Sequence, residues 1–125
     1  MKKNQFESFH WHDATLTKIV IDRSNPGRKD EIELHIIWPN GKKNKMIFKK
    51  VYFAKLDLNF GVIALESIAD ANIISNEDIE LISFKNIWRN HFEGIEQLTG
   101  FEITTNSTAG KIRIYAMSFV LNNLL

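Results

Sequence analysis

The chain has 125 residues, is 44% hydrophobic and 25% charged, and carries a formal net charge of +1. This suits one globular domain spanning residues 1–125 and supplies no global field to draw in nucleic acid or an anionic membrane. The absence of cysteine excludes disulfides and thiolate chemistry and fits a reducing, cytoplasmic setting, and no run approaches the ~18 apolar residues of a membrane-spanning segment.

The amino terminus, MKKNQFESFHWHD, has two lysines with no apolar run behind them, so it does not read as a secretory signal. Residues 14–22, ATLTKIVID, are rich in β-branched side chains and predict a first strand. Pro26-Gly27 then suits the two central positions of a type II turn, where proline presets φ and glycine accepts a positive one. Residues 30–38, DEIELHIIW, alternate, with Ile32, Leu34, Ile36 and Trp38 on one face.

The connection Pro39-Asn40-Gly41 can be assigned a length. A two-residue turn at Asn40-Gly41 would set Ile36 opposite Lys45 and Ile32 opposite Lys49. A three-residue loop closing on Trp38 and Lys42 sets Leu34 opposite Met46, Ile32 opposite Phe48 and Glu31 opposite Lys49. The second register matches apolar with apolar and acid with base, and puts glycine at the left-handed third position. It is the predicted one.

Residues 44–53 form the third strand, and 54–60 continue it as a bent strand or begin another. Asn59-Phe60-Gly61 reads as a turn. Residues 62–73, VIALESIADANI, follow neither period and read as a short strand or a turn-rich segment. A helix is predicted from near Glu77, with Ser75-Asn76-Glu77-Asp78 as a loose capping box and a stripe of Leu81, Phe84, Trp88 and Phe92 flanked by Ile87. The alternative, a strand over residues 79–84, is the lesser reading. A last hairpin joins 101–105 to KIRIYAMSFVL across residues 106–110, with Ile112, Ile114 and Ala116 on one face and Lys111, Arg113 and Tyr115 on the other. The predicted fold class is therefore α+β: a mainly antiparallel sheet of hairpins with one helix packed on one face.

Chemistry-bearing residues are few. In FHWHDA, residues 9–14, His10 and His12 would point the same way on an extended segment and present two imidazoles to one metal ion. A third ligand would have to come from His35, Glu33 or His91, none in a recognisable spacing. The preferred reading is structural: Trp11 packs while His10, His12 and Asp13 hydrogen-bond at the entry to the first strand. Ser107-Thr108-Ala109-Gly110 has the composition of an anion-binding nest but no phosphate-loop spacing, and reads as a hairpin turn with hydroxyls capping loop backbone. Lys42, Lys43, Lys45, Lys49 and Lys50, near Trp38, Tyr52 and Phe53, resemble a nucleic-acid platform; a solvated sheet edge accounts for them more simply. Glu66, Asp70, Glu77, Asp78 and Glu80 cluster in sequence, the last three at the predicted helix start. No nucleophile motif, paired-carboxylate site or cofactor motif is present, and no cofactor is expected. Charge is uneven along the chain: residues 1–60 carry 12 Lys+Arg against 7 Asp+Glu, and residues 61–125 carry 4 against 8.

Three stretches, FHWHDATLTKIVIDR at 9–23, LNFGVIALESI at 58–68 and TNSTAGKIRIYAMSF at 105–119, together resemble a loose group of small bacterial domains that open on an "(F/W)HDA" motif. Some of these resemble immunity proteins, which neutralise secreted polymorphic toxins by binding them. His12-Asp13-Ala14 match the opening; His10 is outside the pattern. The resemblance implies a non-enzymatic domain whose partner is another protein, in its sharpest form a toxin. The alternatives are a metal-binding domain or metal-dependent enzyme built on His10 and His12, and a nucleic-acid binder using the lysine hairpin. Homo-oligomerisation through an exposed edge is left open.

Overall fold

The computed structural model describes residues 3–124; Lys2, one of the amino-terminal lysines, lies outside them. Six strands, β1 (Thr15–Ile21), β2 (Ile32–Ile37), β3 (Lys43–Asp57), β4 (Ile68–Ile73), β5 (Thr99–Thr105) and β6 (Lys111–Asn123), form one antiparallel sheet in the spatial order β1-β2-β3-β6-β5-β4. A short helix α1 (Lys3–Ser8) precedes β1, and the main helix α2 (Ile79–Trp88) and a 3₁₀ turn (Ile95–Gln97) connect β4 to β5. The architecture is the α+β hairpin sheet expected. The sheet curls into a half-barrel, and its two edges meet at one end through a bridge between Thr15 and Ser67.

The predicted β2–β3 register is the one formed: Ile32 faces Phe48 and Leu34 faces Met46. Trp38 N–H donates to Lys42 O, and Gly41 takes φ +86°, as the three-residue loop requires. Lys49 Nζ lies 3.0 Å from Glu31 Oε2. Gly27 also adopts a positive φ, +83°, and Asn25 O accepts from Arg28 N–H. β3 runs on to Asp57, bending where its register with β6 shifts between Val51 and Phe53. Residues 62–73 divide: the first part is irregular and the second is β4, a strand whose alanines, asparagine and aspartate carry little β-propensity of their own. Pairing with β5 imposes its conformation.

The helical reading of residues 79–84 holds, but the cap is not Ser75. Asp78 is the N-cap; its Oδ2 accepts from Leu81 N–H at 3.0 Å, while Ser75 closes a preceding turn by accepting from Asp78 N–H. The helix ends at Trp88, so Phe92 packs from the following turn rather than from the stripe.

Apolar residues form two layers. Inside the curl lie Leu34, Ile36, Met46, Phe48, Phe101, Ile103, Ile112 and Ile114, with Phe6 of α1 inserted among them. The Phe6 ring sits 4.9 Å from Phe101 and 5.0 Å from Trp11. Outside the curl, Leu81 of α2 packs with Ile74, Ile95, Leu98 and Tyr115. β6 supplies both layers, as its alternation predicts.

Candidate functional site

The sequence candidates lie apart. Residues 11–14 are not extended. Ala14 N–H donates to Trp11 O, closing a turn in which Asp13 takes φ +69°. The geometric premise for pointing His10 and His12 at one ion therefore fails. Trp11 is buried, and its Nε1–H donates to Phe6 O at 2.7 Å. His12 Nδ1 lies 3.1 Å from Ala69 O. A carbonyl only accepts, so Nδ1 carries the proton and Nε2 is left near Asp13, on side chains 76% and 71% exposed. His35 is on the outer face of β2, its Nε2 2.8 Å from Glu33 Oε2. That hydrogen bond, with help from Lys45 and Lys18, holds the Glu33 carboxyl below its ordinary value. His91 stacks edge-on against Trp88. Among the described residues, no three histidine, aspartate or glutamate side chains converge as a metal-sized group.

What residues 12–14 do is close the sheet. Asp13 N–H donates to Ile68 O, Ile68 N–H donates to Ala14 O, and Leu16 N–H donates to Glu66 O. Asp13 thus works through its backbone rather than its carboxylate.

The lysines do not guard an edge. β3 is an interior strand, paired with β2 on one side and β6 on the other. Lys45 and Lys49 are within salt-bridge distance of Glu33 and Glu31. That leaves Lys42, Lys43 and Lys50 as the exposed positive charges of the group.

The turn at 105–110 is a clamp. Ser107 Oγ donates to Leu65 O and accepts from Ser67 N–H. Thr108 binds the Glu66 carboxylate through both its N–H and its hydroxyl. Asn59 Nδ2 donates to Thr108 O at 2.8 Å. These bonds occupy the hydroxyls that suggested an anion nest, and they pin both ends of the connection 58–66.

Pinned at its ends, that connection holds its apolar side chains out. Phe60 is 86% exposed, Leu65 76% and Val62 52%, and Ile63 is fully exposed. A groove of about 440 Å³ runs between this ridge and residues 16–19 of β1. The stretches 9–23, 58–68 and 105–119 meet here: residues 13–16 bond residues 66–68, and residues 107–108 bond residues 65–67. The sequence held a signal for the ridge that periodicity alone could not read. An apolar run matching neither strand nor helix has no face to bury.

A second polar cluster joins residues far apart in sequence, and no local pattern marks it. On the outer sheet face Arg113 reaches Glu102 (2.8 Å), Asp78 (2.9 Å) and the Tyr115 hydroxyl (3.0 Å). It ties the start of α2 to β5 and β6. Both terminal nitrogens of Arg113 are partnered and its buried Nε is not, and the cluster reads as a brace for the helix.

Among the described residues no helix is long and apolar enough to cross a membrane. No family model matches the chain, and no curated protein matches it.

Proposed function

We propose that this is a non-enzymatic protein-binding domain, immunity-like in character, that seats a partner protein on the ridge of residues 60–65. One observation carries the reading: four large apolar side chains stand in solvent on a segment clamped at both ends. Folding gains nothing from exposing them, and monomeric proteins rarely present a contiguous patch of this kind outside an interaction site. A clamped ridge also loses little conformational freedom on binding, which favours affinity. The family resemblance points the same way, toward a toxin as partner.

The test is capture of the adjacent gene's product by the purified chain, followed by titration with Ile63→Asp and Leu65→Asp. Binding is expected to weaken at least about tenfold in each variant, in the manner of apolar anchors in an interface. The unfolding midpoint should stay put, because neither side chain is buried. Failure to bind the neighbouring product, or binding indifferent to both substitutions, rejects the proposal.

A further inference from the structure

The outer edge of β1 beyond Leu16 is left unpaired, and its sequence is self-complementary. We infer that β1 pairs antiparallel with β1 of a second copy of this chain about a two-fold axis at Val20. This goes beyond the ridge proposal and does not depend on it.

The direction of the backbone groups follows from the β2–β3 hairpin. Trp38 N–H donates to Lys42 O, so Ile36, Leu34 and Ile32 turn their main-chain groups to β3, and Ile37, His35 and Glu33 turn theirs to β1. The β1 partners of those three are Thr15, Lys18 and Val20. Past the register shift at Thr17, Ile19 and Ile21 therefore direct N–H and C=O outward. Leu16 confirms the phase, since its N–H reaches Glu66 O on the far side. Among the described residues, nothing bonds the outward groups of Ile19 and Ile21.

Register then decides the partner. An antiparallel copy must set outward residues opposite outward residues, which leaves three nearby choices. Ile19 on its own symmetry mate sets Lys18 across from Val20. Ile21 on its own mate sets Val20 across from Asp22. With Val20 on the axis, Ile19 faces Ile21 of the second copy, Lys18 faces its Asp22, and both relations repeat by symmetry. Only this register pairs apolar with apolar and lysine with aspartate at each position, as cross-strand pairs prefer. It also forms four main-chain hydrogen bonds and continues the inner apolar layer, where Ile19 already packs, through the exposed Ile21. A two-fold interface must be self-complementary, and this strand is.

The chain has no cysteine, so a single introduced one reports the register. Val20 would face Val20 of the second copy as a non-hydrogen-bonded pair, with Cα atoms about 4.5 Å apart, within disulfide reach. Val20→Cys is expected to form a covalent dimer under mild oxidation. Lys18→Cys alone is expected not to, whereas Lys18→Cys mixed with Asp22→Cys is. Sedimentation over a dilution series should show monomer and dimer in exchange. Lys18→Asp and Asp22→Lys should each weaken dimerisation about tenfold or more through like-charge contact, and the double reversal should restore it. A chain that stays monomeric at every concentration overturns the inference. So does a dimer that ignores both charge reversals and leaves Val20→Cys uncrosslinked. Circular dichroism of each variant separates lost pairing from lost fold, and because no partner protein is added, the ridge proposal is not what is being read.

Discussion

The sheet has two edge strands, and the chain treats them in opposite ways. The N–H groups that Ile68, Ala71 and Ile73 of β4 turn away from β5 each find an acceptor. Ile68 N–H goes to Ala14 O, Ala71 N–H to the Asp70 carboxylate, Ile73 N–H to the Glu7 carboxylate, and Ala69 O receives His12 Nδ1–H. Among the described residues, the side of β1 away from β2 is joined only at its start, through Thr15 and Leu16. An unpaired edge is a template for another chain, and proteins ordinarily cover or charge it. Here one edge is sealed by residues 7–14, and the other carries a single lysine and a strand that complements itself. The difference teaches that FHWHDA is part of the seal. Its position at the seam accounts for Trp11, for the His12 ring and for the backbone of Asp13 and Ala14.

The largest effect is expected from breaking the seal at its buried anchor. Trp11→Ala removes an indole packed on Phe6 and Trp38, together with the hydrogen bond that fixes α1 to residue 11. A loss of about 3–5 kcal/mol in a denaturant titration is expected, as for other buried tryptophans. Ile21→Thr, on the open edge, should cost under about 1 kcal/mol, as substitutions of half-exposed side chains do. Equal losses at the two sites would abolish the contrast between the edges.

An intermediate effect belongs to the brace next to β4. Asp78 caps α2 through Leu81 N–H and also meets Arg113, and the first of these bonds leads in holding its carboxyl below the ordinary value. Glu33, behind β1, is lowered likewise, with the hydrogen bond from His35 as the main cause. In both cases the unfolded chain binds the proton more tightly than the folded one. The stability they contribute is therefore fully present above the unfolded pKa and is lost as pH falls through the folded pKa. Unfolding midpoints should thus drop on acidification below about pH 4, the range of unperturbed carboxylates. Asp78→Ala should cost about 1–2 kcal/mol at neutral pH, as lost N-caps do, and should flatten the acid slope. An unchanged slope would remove Asp78 from the account.

Much of this was legible in the sequence wherever neighbours in space are also near in sequence. The β2–β3 register followed from one loop and two alternating strands, and the packing of Leu81 and Phe84 of α2 from their spacing, although Ile87 and Trp88 of the same predicted stripe stay exposed. The two faces of β6 followed from Lys111, Arg113 and Tyr115 alternating with Ile112, Ile114 and Ala116. The seam was not legible, because it joins residues 13–16 to residues 66–68 and nothing local marks the meeting. α1 is too short to show a period, so Phe6 gave no sign of being a core residue. β4 is a strand only because its neighbours make it one. The two-histidine argument failed on two tight turns, one closed on Phe9 O by Trp11 N–H around His10 and one closed on Trp11 O by Ala14 N–H around His12 and Asp13; the second uses a positive φ at Asp13, which an aspartate tolerates better than most residues and which spacing cannot reveal.

The smallest effect is the most local, and it addresses the edges directly. Glu7 is exposed, and among the described residues its carboxylate makes one contact, accepting from Ile73 N–H at 3.0 Å. Glu7→Ala should lower global stability by no more than about 1 kcal/mol, the net worth of one hydrogen bond. Amide exchange should register more. Ile73 is expected to lose protection while Ile68, held by Ala14 O, keeps it. Ile19 and Ile21 should exchange quickly in dilute protein and slow as concentration rises, because only a second copy closes that edge. If Ile19 and Ile21 are protected at all concentrations, β1 is covered within the monomer and the two edges are alike. If Ile73 is unmoved by the loss of Glu7, α1 holds β4 by packing alone, and the seal rests on Phe6 and Trp11.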